Sequence, residues 1–381
     1  MQLEVIGVGG AGCRIADAIR AAEPADHSFL TDVFVFDTDA ATLRRTVVPE
    51  SHRHRYGQGT GIGADDDLER RFETGETHAE ELLEALNQGT PGEADAFLVT
   101  VGLGGATGGG TAPALVAALQ RQYDAPVYVL ATLPADREFD PDADAGDTGP
   151  HSRTTAAAGS DEPPRPNAAS NAVATLERLE GLASAIVCFD NEAWLRPGET
   201  MSDARDRCNR ELAGRVAAVF AGGGASDGPV AQNVIDASDV ERILGNESAI
   251  VALGYGDQDV ETSSSRFGLG LLSTDRDVET SEAVSAVETV VRKGIHGKLT
   301  LECDPETAAR GLLVVGGPPT WLNRQAIAEG RRALQSTVGG TGVLGGDAPR
   351  PDDETVFAAV VLAGVEPGRL EELRAAADRT A

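Results

Sequence analysis

Two glycine clusters carry the chemistry this chain can be expected to do. Gly7-Val-Gly9-Gly10-Ala11-Gly12 ends the apolar run Leu3–Val8, and Gly102-Leu-Gly104-Gly105-Ala106-Thr107-Gly108-Gly109-Gly110-Thr111 follows Phe97–Val101. Glycine lets a backbone turn tightly and approach an anion, and a helix starting there aims its free N–H groups at that anion. The first cluster has the GxGxxG spacing of dinucleotide folds, with Asp37 after the next apolar run as the ribose acid of that reading. Taken alone the match is weak. In the second cluster Pro113 marks a helix start directly behind the glycines, and two such loops on parallel strands can grip a polyphosphate from both sides. A flexible surface loop is the plainer alternative, but it needs no buried strand and helix around it. No lysine precedes Lys293, which excludes a Walker P-loop and leaves backbone dipoles and a metal ion to neutralise phosphate.

The elements that must hold these loops alternate. Strands are expected at Leu3–Val8, Val33–Phe36, Ala96–Val101, Pro126–Leu133 and Ala185–Phe189, with helices at Cys13–Ala22, Glu80–Leu86, Thr111–Gln122 and Ala168–Leu182. This order predicts an α/β fold with a doubly wound parallel sheet and ligands at the carboxyl ends of its strands. Met201–Phe220 has the stripe of one long helix, and beyond it lies an α+β unit. It has strands Ala249–Gly254, Gly311–Val315 and Val356–Ala363, and helices near Ser281–Val291, Leu322–Leu334 and Leu370–Ala377. The expected organisation is a nucleotide domain over 1–200, a central helix over 201–222 and a C-terminal domain over 223–381. An acidic, Pro- and Gly-rich loop insertion interrupts the first domain at 139–166.

The chain of 381 residues carries a net charge of −29. Such a surface repels nucleic acid and anionic lipid, and it suits a cytosolic protein of a halophile, where molar salt screens self-repulsion to within about 3 Å. Cys13, Cys188, Cys208 and Cys303 lack metal-ligand spacing and suit buried thiols in a reducing compartment, so no metal site is expected from side chains. A strand pattern from Leu3 predicts no signal peptide, and the longest apolar stretch, Val356–Val365, is too short to cross a bilayer.

Gly104-Gly-Ala-Thr-Gly-Gly-Gly110 resembles the GGGTG(S/T)G loop of the tubulin/FtsZ superfamily, with Ala106 for a glycine and Gly109 for the hydroxyl residue. Phe189-Asp-Asn-Glu-Ala-Trp194, Val234-Ile-Asp-Ala-Ser-Asp239 and Gly316-Gly-Pro-Pro-Thr-Trp-Leu-Asn-Arg324 resemble its CetZ branch, the archaeal cytoskeletal GTPases of salt-loving archaea. The resemblance covers nearly the whole chain outside the insertion. It implies a tubulin/FtsZ-like fold and a cytoplasmic protein that binds GTP or GDP, with Mg2+ held through the phosphates and K+ as a further candidate ion. It also implies head-to-tail assembly with itself, or with paralogues, into filaments that influence cell shape.

Residue by residue, the resemblance places Gly9, Gly10, Ala11, Gly12, Cys13 and Arg14 at the first loop, and Gly104, Gly105, Ala106, Thr107, Gly108 and Gly109 around the phosphates. Glu138 falls at the ribose acid, and Asn191 and Asn209 at the two guanine-reading amides. Asp236 and Asp239 fall on the loop whose acids polarise the attacking water in the next subunit's site. On spacing alone Asp236 or Ser238 is a helix cap and Asp239 favours the helix dipole. Gly109, Val234 where FtsZ loops carry Asn, and the run Asp65-Asp-Asp67 depart from the pattern. Two further readings therefore stay open: a GTP-binding paralogue that hydrolyses weakly or not at all, and, more remotely, a Rossmann-type NAD(P) oxidoreductase.

Overall fold

The structure, a computed structural model, describes residues 1–25, 28–57, 68–140, 165–223, 233–261, 278 and 280–380. The strands are β1 (Leu3–Val8), β2 (Leu30–Asp37), β3 (Arg53–Arg55), β4 (Ala96–Gly102), β5 (Val127–Leu133), β6 (Ala185–Asp190), β7 (Ala249–Asp259), β8 (Arg310–Gly317), β9 (Gly342–Pro349) and β10 (Thr355–Ala363). The helices are α1 (Gly9–Ala21), α2 (Ala40–Arg44), α3 (Leu68–Ala85), α4 (Ala106–Gln122), α5 (Asp136–Phe139) and α6 (Ala168–Leu179). They continue with α7 (Asn191–Trp194), α8 (Met201–Phe220), α9 (Ala237–Leu244), α10 (Thr280–His296), α11 (Arg324–Thr337) and α12 (Gly368–Thr380).

All ten strands form one sheet, in the order β3-β2-β1-β4-β5-β6-β7-β10-β8-β9. The first seven positions are parallel, and β10 runs antiparallel between β7 and β8. The parallel strands are near-continuous apolar runs because helices cover both their faces. One core, on the side of Ile6, Val99 and Val129, continues through Val287 and Leu313; the other, on the side of Val5, Leu98 and Leu130, continues through Leu253 and Phe357.

Strand order reverses at β1, whose successor β2 lies on one side and whose other neighbour is β4. Crevices that open at such a point, at the carboxyl ends of parallel strands, take ligands in α/β sheets. Helix α8 spans the length predicted for it, capped at its start by Thr200, whose hydroxyl accepts from the Asp203 N–H, and it packs on α1 and against β7, β8 and β10. Of the expected insertion, residues 141–164 lie outside the described residues; the chain just before them forms the single turn α5 rather than a loop.

Candidate nucleotide site

Both glycine clusters open helices, and both helices begin earlier than their apolar spacing predicts. α1 starts at Gly9 instead of Cys13, and α4 at Ala106 instead of Thr111. Backbone fit outweighs glycine's poor helix propensity here. A Cβ on Gly12 would lie 2.0 Å from the Thr100 carbonyl oxygen, and the Thr100 hydroxyl donates to the Gly12 carbonyl at 2.8 Å. A Cβ on Gly9, at φ +73°, would meet the Gly108 backbone at 2.7 Å, so the two loops touch main chain to main chain. The caps, Val8 and Gly105, supply no side-chain hydrogen bond, and neither first turn contains an acid. In a chain with 61 acidic residues these two helix starts are therefore left open to an anion.

The two departures in the second loop have packing causes. The Ala106 methyl is buried with Leu68 and Phe72 of α3. At Gly109 a Cβ would sit 2.5 Å from Thr175 Oγ1, so a hydroxyl from α6 occupies the space a serine or threonine there would need. Thr107, between them, is half-buried. Asn171 of α6 donates its amide to the Gly104 carbonyl at 3.2 Å and fixes the loop from the outside. Cys13 turns inward: its thiol donates weakly to the Phe36 carbonyl at 3.5 Å, and burial raises it well above an ordinary thiol. Arg14 lies beside the first loop: a Cβ on Gly10 would sit 3.5 Å from its Nη1.

Strand register lines up the remaining residues. Val8 pairs with Val101, Gly102 with Thr132, and Leu133 with Asp190, so β1, β4, β5 and β6 end in one row. The row brings Gly9–Ala11, Gly104–Gly109, Glu138 and Asn191 to one edge of the sheet, across about 14 Å at the usual strand spacing. Glu138 is half-buried: Oε1 accepts from the Ala135 N–H at 2.9 Å, and Oε2 lies 3.5 Å from Arg165 Nη1. Asn191 opens α7 and Asn209 lies on α8, and neither side chain hydrogen-bonds to a described residue. Asp37 is buried, and its Oδ1 accepts from the Asp39 N–H at 2.7 Å.

Asp236 and Asp239 are elsewhere. Asp236 caps α9, accepting from the Asp239 N–H at 2.9 Å and from the Ser238 hydroxyl at 2.7 Å, which hold its carboxyl below the usual range. Asp239 pairs with Arg242 at 2.9 Å. The approach to this cap is fixed by buried Asp347 of β9, which accepts from the Asn233 N–H at 2.7 Å. Helix α9 packs on β8 and β9, and β8 is five strand spacings from β4, about 24 Å. Within one chain these acids do not join the row of phosphate and nucleoside residues. Sequence reasoning missed Thr100, Asn171 and Thr175; only Thr100 leaves a trace, as the one polar residue in the run Phe97–Val101.

Residues 2–143 match the tubulin/FtsZ family GTPase domain, and residues 198–379 match the tubulin-like CetZ C-terminal domain. The chain is 34% identical to the tubulin-like protein CetZ5 of Haloferax volcanii, over 99% of this chain and 91% of that one. It belongs to the CetZ family of tubulin-like proteins. CetZ1 of the same organism is 33% identical over 98% of this chain and 91% of its own. The GDP-bound CetZ1 monomer superposes with a TM-score of 0.78 at 28% identity, covering 100% of this chain and 99% of that one. The CetZ2 protofilament with GTPγS gives 0.78 at 27%, covering 100% and 98%. An FtsZ dimer of M. jannaschii, at 20% identity and a TM-score of 0.67 over 95% and 88% of the two chains, shares the fold. CetZ membership carries the GTPase-domain architecture with it, and the oxidoreductase reading falls away.

Proposed function

We propose that this chain binds GTP and GDP at the row of loops ending β1, β4, β5 and β6, and assembles head to tail into cytoplasmic filaments that influence cell shape. Gly9–Arg14 and Gly104–Gly109 would hold the phosphates, Glu138 the ribose, and Asn191 and Asn209 the guanine edge, whose donors and acceptors an amide can match. The observation that carries the reading is the pair of uncapped, acid-free helix starts meeting at the switch point of the sheet. The GDP-bound and GTPγS-bound CetZ structures support guanine nucleotide as the ligand. Mg2+ would be held mainly by the phosphates in this reading, with K+ as a further ion. No described helix is long and apolar enough to cross a membrane.

Hydrolysis belongs to the junction between subunits in this reading. Asp236 and Asp239, about 24 Å along the sheet from the phosphate loops of their own chain, would orient water in the neighbour's pocket. A contact between unlike surfaces propagates without closing, which gives filaments. Paralogues with matching surfaces could enter the same filament. Gly109 and the exposed Val234 favour a second reading, a GTP-binding member with weak or no turnover. Phosphate release measured against protein concentration in molar KCl, with electron microscopy of the same samples, decides. Turnover per subunit that rises as filaments appear supports the first reading; filaments without turnover support the second; neither binding nor filaments overturns both.

A further inference from the structure

We infer that Arg369, on the C-terminal helix α12, is a positioning residue that holds the ribose loop and the guanine loop in one frame. The inference rests on the nucleoside assignments of Glu138 and Asn191. Arg369 is 235 residues from one of its partners in sequence and is buried, with its side chain 7% exposed. Its Nη2 donates to the Pro134 carbonyl at 2.9 Å and lies 2.7 Å from Asp136 Oδ1, both on the segment leading into Glu138. Its Nε lies 3.2 Å from Oδ1 of Asp190, the residue before Asn191. Nη1 reaches Glu372 on its own helix at 3.3 Å.

The frame is closed on its far side. Asp190 Oδ1 accepts from the Glu192 N–H at 3.1 Å as the cap of α7, and Glu192 Oε2 accepts from the Asp136 N–H at 2.9 Å. Two loops on adjacent strands are thus joined once directly and once through a planar guanidinium that addresses both carboxylates and a carbonyl. An ammonium is a point charge and cannot reproduce that fork. Without Arg369 the buried Asp190 carboxyl, already raised to about 6 by burial, loses the cation that favours its charged form and takes up a proton, so the ion pair that ties the two loops is gone. A Cβ on Gly104 would lie 3.1 Å from Pro134 Cβ, so the frame borders the second glycine loop at that one proline, while its charged groups lie on the segments leading into Glu138 and Asn191, and the effect falls mainly on the nucleoside half of the pocket.

The test compares ligands that use different halves, in molar KCl. Binding of a fluorescent GTP is measured with GTP, ATP and inorganic tripolyphosphate as competitors. Arg369→Met is expected to weaken GTP about tenfold, to shrink the preference for GTP over ATP, and to leave tripolyphosphate within about twofold of the parent; Arg369→Lys recovers only part. Unchanged GTP affinity overturns the inference, as does an equal loss for GTP and tripolyphosphate. If Arg369→Met does not fold, Asp136→Ala removes one arm, and undiminished GTP affinity there is equally adverse. Asn191→Ala and Glu138→Ala serve as references: if they too bind GTP like the parent, the nucleoside assignment has failed rather than the role of Arg369.

Discussion

Gly9 and Gly108 stand in direct backbone contact across the gap between β1 and β4, with no room for a Cβ on either. A methyl on Gly108 would come within 2.8 Å of the Val8 carbonyl oxygen, and only a shift of main chain relieves that. Gly108→Ala should therefore separate the two loops, costing about 1–3 kcal/mol of stability and weakening GTP at least about tenfold. Thermal unfolding and equilibrium binding check the two effects, and a variant with parental affinity would show that the loops do not act together.

The two acids of α9 should differ in one respect. Asp239→Ala is expected to keep GTP and lose turnover. Asp236→Ala should lose turnover and also about 1 kcal/mol of stability, because it removes the cap that the Asp239 N–H uses. Parental turnover in Asp239→Ala would sink the catalytic assignment.

Mixing tests whether those acids work across a junction. At a GTP concentration that fills Asp239→Ala but leaves the weakened Gly108→Ala largely empty, the first carries nucleotide but lacks one acid and the second carries both acids without nucleotide. Together, at assembling concentrations, they should release phosphate when neither does alone. A mixture as silent as its components argues for action within one chain.

Glu4 gives the stability a pH dependence. It is fully buried on β1, neither carboxylate oxygen has a hydrogen-bond partner among the described residues, and burial, with Asp32 nearby, pushes its carboxyl up to about 8. The folded chain then keeps a proton that the unfolded chain releases near pH 4.5, so this group's contribution falls as pH rises from about 4.5 to about 8, and levels above that. Glu4→Gln should be more stable than the parent at pH 9, on the order of 2 kcal/mol, with the advantage shrinking toward pH 5. Denaturant midpoints at the two pH values check it, and a constant difference would contradict it.

Salt should act on binding and assembly at once. With a net charge of −29, stacked subunits repel one another, and a lysine-free phosphate site has little to oppose the field. As KCl falls from molar to ~0.1 M, the Debye length grows from about 3 to about 10 Å, and GTP affinity, filament mass and turnover should decline together. Sedimentation and nucleotide binding along one salt series would show it.

What the sequence made legible follows from how local the cause is. β1 and α8 occupy their expected bounds because each is fixed by its own apolar pattern and, for α8, by Thr200 and Asp203 at its start. The early starts of α1 and α4 could not be read, since glycine argues against helix and the deciding contacts, Gly12 on Thr100 and Gly9 on Gly108, lie between distant segments. β9 escaped notice for a similar reason: Gly342, Gly345, Gly346 and Pro349 spoil any strand pattern, and pairing along β8 holds it in place. In the site, the two glycine loops taken together suggest phosphate binding from sequence. Glu138, Asn191 and Asn209 are ordinary polar residues until register sets the first two beside those loops, and Arg369 has no local signal at all.

The span of sheet between the phosphate loops and the α9 acids has an arithmetic consequence for the polymer. If hydrolysis takes place at the junction as proposed, a filament of n such chains would contain n − 1 completed sites, whatever its length. The chain at the end with an open pocket would have no neighbour to supply water-orienting acids, and its nucleotide would be spared. The two tips would then be chemically different objects, one ending in an open pocket with intact nucleotide and the other in acids with no pocket to serve.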